Sequence, residues 1–114
     1  MLRRRAVIAA VCVAAATLSA SAAAAATRTV SVGDDYFVRA SGVPTVTVRA
    51  GDTVRWNWVG RRPHNVRVAS GPVRFGSPTK RSGTYSRVLT RRGTYRIICD
   101  IHGARTQQMK LVVR

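Results

Sequence analysis

The chain has 114 residues, with 20 Lys and Arg against four acidic residues and two histidines, for a formal net charge of +16. Its length bounds it to one modest domain. So basic a balance points by reflex to nucleic acid, but the cations are spread along the whole chain, and the export expected from the N-terminal pattern below argues against a nucleic-acid partner, so none is expected.

Met1-Leu2-Arg3-Arg4-Arg5 is a short basic region, residues 6–20 are apolar, and residues 21–26 offer several A-x-A-like cleavage sites. This pattern predicts a cleaved secretory signal over residues 1–26, with the cut after Ala26, and a mature domain over 27–114. The apolar run falls short of the ~20 residues a membrane span needs, so no transmembrane segment is expected once the leader is gone. Arg4-Arg5-Ala6-Val7-Ile8 loosely suits a twin-arginine signal without the usual polar residue before it, and the route stays open between the general and twin-arginine pathways. Export places the domain in a periplasm, the cell envelope or the extracellular space.

The leader changes two counts. Cys12 leaves with it, so the mature chain keeps one cysteine, Cys99, in an oxidising compartment. A lone thiol there implies intermolecular pairing, reactivity or a metal. The 114 residues less 26 leave 88, and the 20 basic residues less three in the leader and four acids leave +13. A domain of that size buries only about 60–65% of the surface its unfolded chain exposes, and with no disulfide a bound metal would add stability. The surplus of arginine reads either as a solvated surface or as attraction to an acidic partner or an anionic envelope surface.

From residue 29 onward the apolar residues alternate with period two, the mark of half-buried strands. Val30 and Val32 come first, then Val46 and Val48, then Val54, Trp56 and Trp58. Val66 and Val68 follow, with His64 expected to open their strand. A weaker alternation covers residues 85–90. Tyr95, Ile97 and Cys99 share one face, as do Met109, Leu111 and Val113. Turn signals separate the runs: Gly33-Asp34-Asp35, Ser41-Gly42, Ala50-Gly51-Asp52, Val59-Gly60, Ser70-Gly71-Pro72, Ser82-Gly83 and Arg92-Gly93. Residues 71–82 are the least regular and read as a surface crossover loop. No apolar 3.6-residue period is sustained anywhere. Short, evenly spaced strands of this kind predict an all-β antiparallel sandwich or barrel.

The chemistry gathers near the C-terminus. Cys99 ends one strand, His102 follows across a two-residue gap, and Gln107, Gln108 and Met109 lead into the last strand; His64 lies upstream in Pro63-His64-Asn65-Val66. Each residue has a plainer reading. A free cysteine is often just a small core side chain, and C-x-x-H alone is half of many zinc sites. A structural zinc site would need four strong ligands, and neither C-x-x-C-H nor C-x-x-C is present for haem or dithiol chemistry. Two imidazoles, a thiolate and a weak fourth ligand form the set that copper takes for electron transfer. An enzyme with Cys99 as nucleophile would need an orienting third residue and an oxyanion loop, and neither is visible.

In this order the motifs resemble the plastocyanin type of cupredoxin, over essentially all of residues 27–114. Val46-x-Val48-x-x-Gly51-Asp52-Thr53-Val54-x-Trp56 resembles that family's strand-turn-strand, Pro63-His64-Asn65-Val66 its first-ligand motif, and Gly93-Thr94-Tyr95 leading to Cys99-x-x-His102 its second. The resemblance implies an eight-stranded Greek-key β-sandwich and one type 1 copper ion bound by His64, Cys99 and His102. It implies that Asn65 steadies the ligand loop and the thiolate, and that His102 lies nearest the surface as the electron's exit. It departs at the axial position, where the family's methionine is Gln107. Gln is a known substitute there, whereas Met109 shares the inward face of the last strand. Gln107 is therefore the first choice, Met109 the second and Gln108 the third. The expected function is that of an exported, monomeric blue-copper electron carrier and not an enzyme. Arg61, Arg62 and Arg105 would steer an acidic redox protein partner to the exposed imidazole. The alternative is a non-redox module of the same fold, either a copper carrier or a binder of an anionic envelope polymer.

Overall fold

Alternation of valine and tryptophan with threonine, arginine and asparagine dictates where this chain can bury a surface, and each alternating run is a strand in the computed structural model. The structure describes residue 10 and residues 24–114; the leader expected over 1–26 lies, but for Ala10 and residues 24–26, outside the described residues. Eight strands follow in order: β1 (Thr27–Gly33), β2 (Tyr36–Phe37), β3 (Thr45–Val48), β4 (Asp52–Trp58), β5 (Arg67–Ser70), β6 (Thr84–Leu89), β7 (Gly93–Ile98) and β8 (Gln108–Val113). Among the described residues no helix is long and apolar enough to cross a membrane.

The strands form two four-stranded sheets, ordered β2-β1-β4-β6 and β3-β8-β7-β5. This is the β-sandwich expected, but not a purely antiparallel one: β1 pairs β4 and β3 pairs β8 in parallel. The links from β2 to β3, β3 to β4, β4 to β5, β5 to β6 and β6 to β7 each cross from one sheet to the other. Sheet neighbours are therefore seldom chain neighbours, and tight hairpins do not impose antiparallel pairing.

The inward faces meet in one core. Val30, Val32, Val54, Trp56 and Trp58 come from the first sheet, and Val46, Val48, Val68, Tyr95, Ile97, Met109, Leu111 and Val113 from the second. Burying such side chains is worth about 1.5–3 kcal/mol each, and this is what selects the strand registers. Trp56 sits centrally, with ring centroids 6.0 Å from Phe75 and 5.8 Å from Tyr85. Phe75 belongs to the segment read from sequence as a surface loop. That segment is tied down instead, by Phe75 in the core and by bridges from Arg67 to Gly76 and from His64 to Lys80. The segment opening β5 also differs: the strand starts at Arg67, and His64 stands before it in an isolated bridge.

Candidate metal centre

β5 and β7 are antiparallel neighbours, with Arg67 opposite Ile98. The residues just before β5 and just after β7 therefore lie at the same pole of the sandwich. His64 and Cys99 are those residues.

The backbone of His64 is fixed from two sides. Its N–H donates to Lys80 O at 2.9 Å, its carbonyl accepts from Lys80 N at 2.9 Å, and Trp58 Nε1 donates to the same carbonyl at 3.1 Å. The alternation that buries Trp58 thus also positions the histidine. Cys99 continues the inward face of β7 and joins the core cluster, fully buried. Its N–H donates to Gln107 O at 3.1 Å, and its carbonyl accepts from Gly103 N at 2.9 Å, which closes the loop of residues 99–107 on itself. Gly103 has φ +76°, a left-handed conformation natural to glycine, and it turns the chain back toward β8.

The side chains converge. One donor atom from each of His64, Cys99 and His102 lies within 4.8 Å of the other two. The two imidazole centroids are 4.8 Å apart, and Cys99 Sγ is 3.6 Å from His102 Nδ1. Gln107 is fully buried, with Oε1 at 2.9 Å from His64 Nδ1. Met109 packs in the core opposite Ile97, and Gln108 faces outward, accepting from Arg96. Asn65 pins the His64 segment to the loop of residues 99–107: Asp100 N donates to Asn65 Oδ1 at 2.8 Å, and Asn65 Nδ2 donates to Asp100 Oδ2 at 2.9 Å. Arg67 Nε donates to the same carboxylate at 2.6 Å. These donors, first Asn65 and then Arg67, hold the Asp100 carboxyl below its ordinary range.

Two residues at the pole read in the sequence only as part of a turn. Asp34 Oδ1 is 3.0 Å from His64 Nε2, and Asp35 Oδ1 is 3.0 Å from His102 Nε2. The hydrogen bond with His64, followed by N–H donors from Arg62 and Arg61, holds Asp34 far below the usual carboxylate range. The only signal for either was scarcity: half of the four acids stand side by side in a chain crowded with cations. Arg61, Arg62 and Arg105 lie near this pole but do not form a simple ring. Arg61 and Arg62 offer backbone N–H groups to Asp34, Arg62 also pairs with Asp35 at 3.4 Å, and Arg105 lines a cleft of about 280 Å³ with Arg39 and Asp35. His102 is 20% exposed, so it is the least buried of the three cluster residues but not an open edge.

The donor set fits copper. A buried thiol beside two imidazoles, with the Gln107 amide oxygen 2.9 Å from one ring and no further strong ligand grouped with them among the described residues, matches the set that copper takes in electron-transfer sites and is short of the four strong ligands of structural zinc. Fold and constellation together define the chain as cupredoxin-like, resembling the type 1 blue-copper proteins. No family model matches it. Among solved structures it is similar to amicyanin. A methionine-to-glutamine variant of amicyanin in the Cu(I) form matches with a TM-score of 0.64 at 28% identity, over 77% of this chain and 82% of that one. A reduced tryptophan-to-tyrosine variant matches at 0.64 and 27% identity over 83% and 88%, and an oxidised proline-to-glycine variant at 0.61 and 29% over 84% and 88%.

Proposed function

We propose that the chain is an exported one-electron carrier that works through a single copper ion held by His64, Cys99 and His102, with Gln107 as the weak axial ligand. The observation that carries this reading is the convergence of two imidazoles and the chain's buried thiol at one pole, with the Gln107 oxygen beside them. Copper, when bound, supplies the Cu(II)/Cu(I) couple. The protein's part is rigidity and access. His64 is fixed by Lys80 and Trp58, and Cys99 and His102 by a loop hydrogen-bonded to itself and to Asn65, so little needs to move when an electron arrives or leaves. The buried amide oxygen of Gln107 in place of a thioether favours the more highly charged, oxidised ion.

Burial of Cys99 supports a carrier over an enzyme, because a fully buried thiol offers no substrate an approach. The partner is inferred from charge. All four aspartates are engaged within the domain: Asp34 and Asp35 at the histidines, Asp52 on the backbone N–H of Arg49, and Asp100 on Asn65 and Arg67. Only Arg62 and Arg67 among the described arginines pair with a carboxylate. The surface shown to a partner is therefore cationic, and Arg39 and Arg105 flank the cleft beside the ligand loop, which suits an acidic redox protein. A mature monomeric domain over 27–114, released into a periplasm or envelope by cleavage of the leader, completes the reading.

The test is a visible absorption spectrum of residues 27–114 titrated with Cu(II), beside Cys99→Ser. A strong blue band saturating at one equivalent and missing from the variant is the expected result. A folded protein with a reduced thiol and no such band would refute the reading and leave a basic binding module.

A further inference from the structure

We infer that the turn of residues 33–36 is an outer clamp on the metal centre, in which Asp34 and Asp35 hold the Nε2–H groups of His64 and His102 while the carbonyls of Gly33 and Tyr36 hold the Gln107 amide. The inference rests on the copper reading above and assigns positioning residues to that site.

Both imidazoles are turned the same way. His64 shows Nδ1 to Gln107 Oε1 at 2.9 Å and Nε2 to Asp34 Oδ1 at 3.0 Å. His102 shows Nδ1 to Cys99 Sγ at 3.6 Å and Nε2 to Asp35 Oδ1 at 3.0 Å. Gln107 Nε2 donates to Tyr36 O at 3.0 Å and Gly33 O at 3.4 Å, which points its oxygen inward. Three candidate ligands from two distant segments thus have their far atoms at one turn, those of His64 and Gln107 in hydrogen bonds and that of His102 at a 3.0 Å approach to Asp35. A ring that gives Nδ1 to a metal keeps its one proton on Nε2, and in both rings Nε2 faces a carboxylate. Asp35 Oδ1 is buried and without a well-directed donor among the described residues, and the His102 ring is the group within its reach.

The turn is built for this task. Consecutive residues on a strand point to opposite faces, yet Asp34 and Asp35 both face the pole. Asp35 makes this possible with φ +69°, a left-handed conformation that aspartate tolerates better than most residues. Asp34 is anchored by the N–H groups of Arg61 at 3.0 Å and Arg62 at 2.9 Å, and Asp35 Oδ2 by the Arg62 guanidinium at 3.4 Å. Gly60 leaves the room: a Cβ there would lie 2.8 Å from the Asp34 backbone nitrogen.

Carboxylates in this position fix the tautomer and ring orientation of a metal-bound histidine and raise its basicity. Two negative charges beside the imidazoles also favour the oxidised ion over the reduced one. Removing either charge therefore weakens Cu(II) binding more than Cu(I) binding and raises the reduction potential, whereas removing the Arg62 charge lowers it.

The experiment compares wild type with Asp34→Asn, Asp35→Asn, Asp35→Glu and Arg62→Ala, each loaded with copper. It reads the visible band, the Cu(II) and Cu(I) dissociation constants by chelator competition, the potential by redox titration, and the imidazole N–H protons by NMR of the Cu(I) form. The clamp predicts that both Asn variants keep the band, lose about 10–100-fold in Cu(II) affinity, and show a higher potential. Asp34→Asn shifts the His64 proton and Asp35→Asn that of His102, Asp35→Glu recovers part of the loss, and Arg62→Ala lowers the potential. Unchanged affinities, potential and ring protons in both Asn variants overturn the clamp while leaving the copper site standing. A wild-type protein without the blue band refutes the copper reading instead. The clamp is then decided by the ring protons of the metal-free protein, which the two Asn variants must still move one at a time; if they do not, the clamp is overturned as well.

Discussion

Parity along the last strand separates Gln107 from Gln108. Residues 107, 109, 111 and 113 all face inward, and all four are buried. Met109, Leu111 and Val113 meet the opposite sheet, and Gln107, beyond the end of the strand, meets His64. The alternation was legible in the sequence, and with it the burial of Gln107 and Met109 and the outward turn of Gln108. Asp34 and Asp35 were not. A Gly-Asp-Asp run is ordinary turn chemistry, and nothing local says that the turn packs against two histidines some thirty and more residues away. The substitution Gln107→Met is expected to keep the blue band and raise the reduction potential, since a thioether stabilises the oxidised ion less than an amide oxygen does. Met109→Leu, a volume-conserving core change, is expected to cost under about 1.5 kcal/mol of stability and to leave the potential where it is. Redox titration with urea unfolding of both variants separates the two roles; a potential that follows Met109 would reverse them.

The site as an assembly depends on which elements become neighbours. β5 beside β7 brings His64 to Cys99, and the β7–β8 hairpin brings His102 and Gln107 to both. Strand periodicity and turn residues foretold nearly all of the strands. They did not foretell the parallel pairs of β1 with β4 and β3 with β8, because pairing is decided by crossings between sheets and leaves no local trace. Nor did they foretell that residues 71–82 carry a core phenylalanine, since one apolar residue amid proline, glycine and arginine has no period. The Asn65–Asp100 bridge joins the two ligand-bearing segments. Asn65→Ala removes both hydrogen bonds at a partly solvated place, so a loss of about 1–2 kcal/mol is expected. Because the bridge holds the ligand loop against His64, copper should also leave faster. Equilibrium unfolding and the rate of copper transfer to a chelator check the two effects; an unchanged transfer rate would show that the loop holds its shape without the bridge.

At the scale of the whole molecule, a small core and a large cationic surface meet a very small stock of carboxylates, each of which is used. Asp52 illustrates this at the end of the sandwich away from His64, Cys99 and His102. Its oxygens accept from Ala26 N at 2.9 Å while the leader is attached and from Arg49 N at 2.8 Å, a bond that stays after cleavage, and these bonds lower its pKa from the ordinary carboxylate value. A lowered folded-state pKa means that the carboxylate's contribution is fully present above the unfolded value and is lost as pH falls through the folded one. Asp52→Asn should therefore be less stable than wild type at neutral pH, with the gap closing as the pH drops below about 4; thermal melts across that range would show it, and a gap that stays constant would contradict it. Whether the whole domain acts as a carrier is tested by cyclic voltammetry of the copper-loaded protein. An electron carrier gives one reversible wave, one electron per protein, unchanged over repeated cycles and absent from Cys99→Ser. Copper that binds with the blue band but is lost on reduction, or gives no reversible wave, would contradict electron transfer and identify a copper carrier built on the same fold.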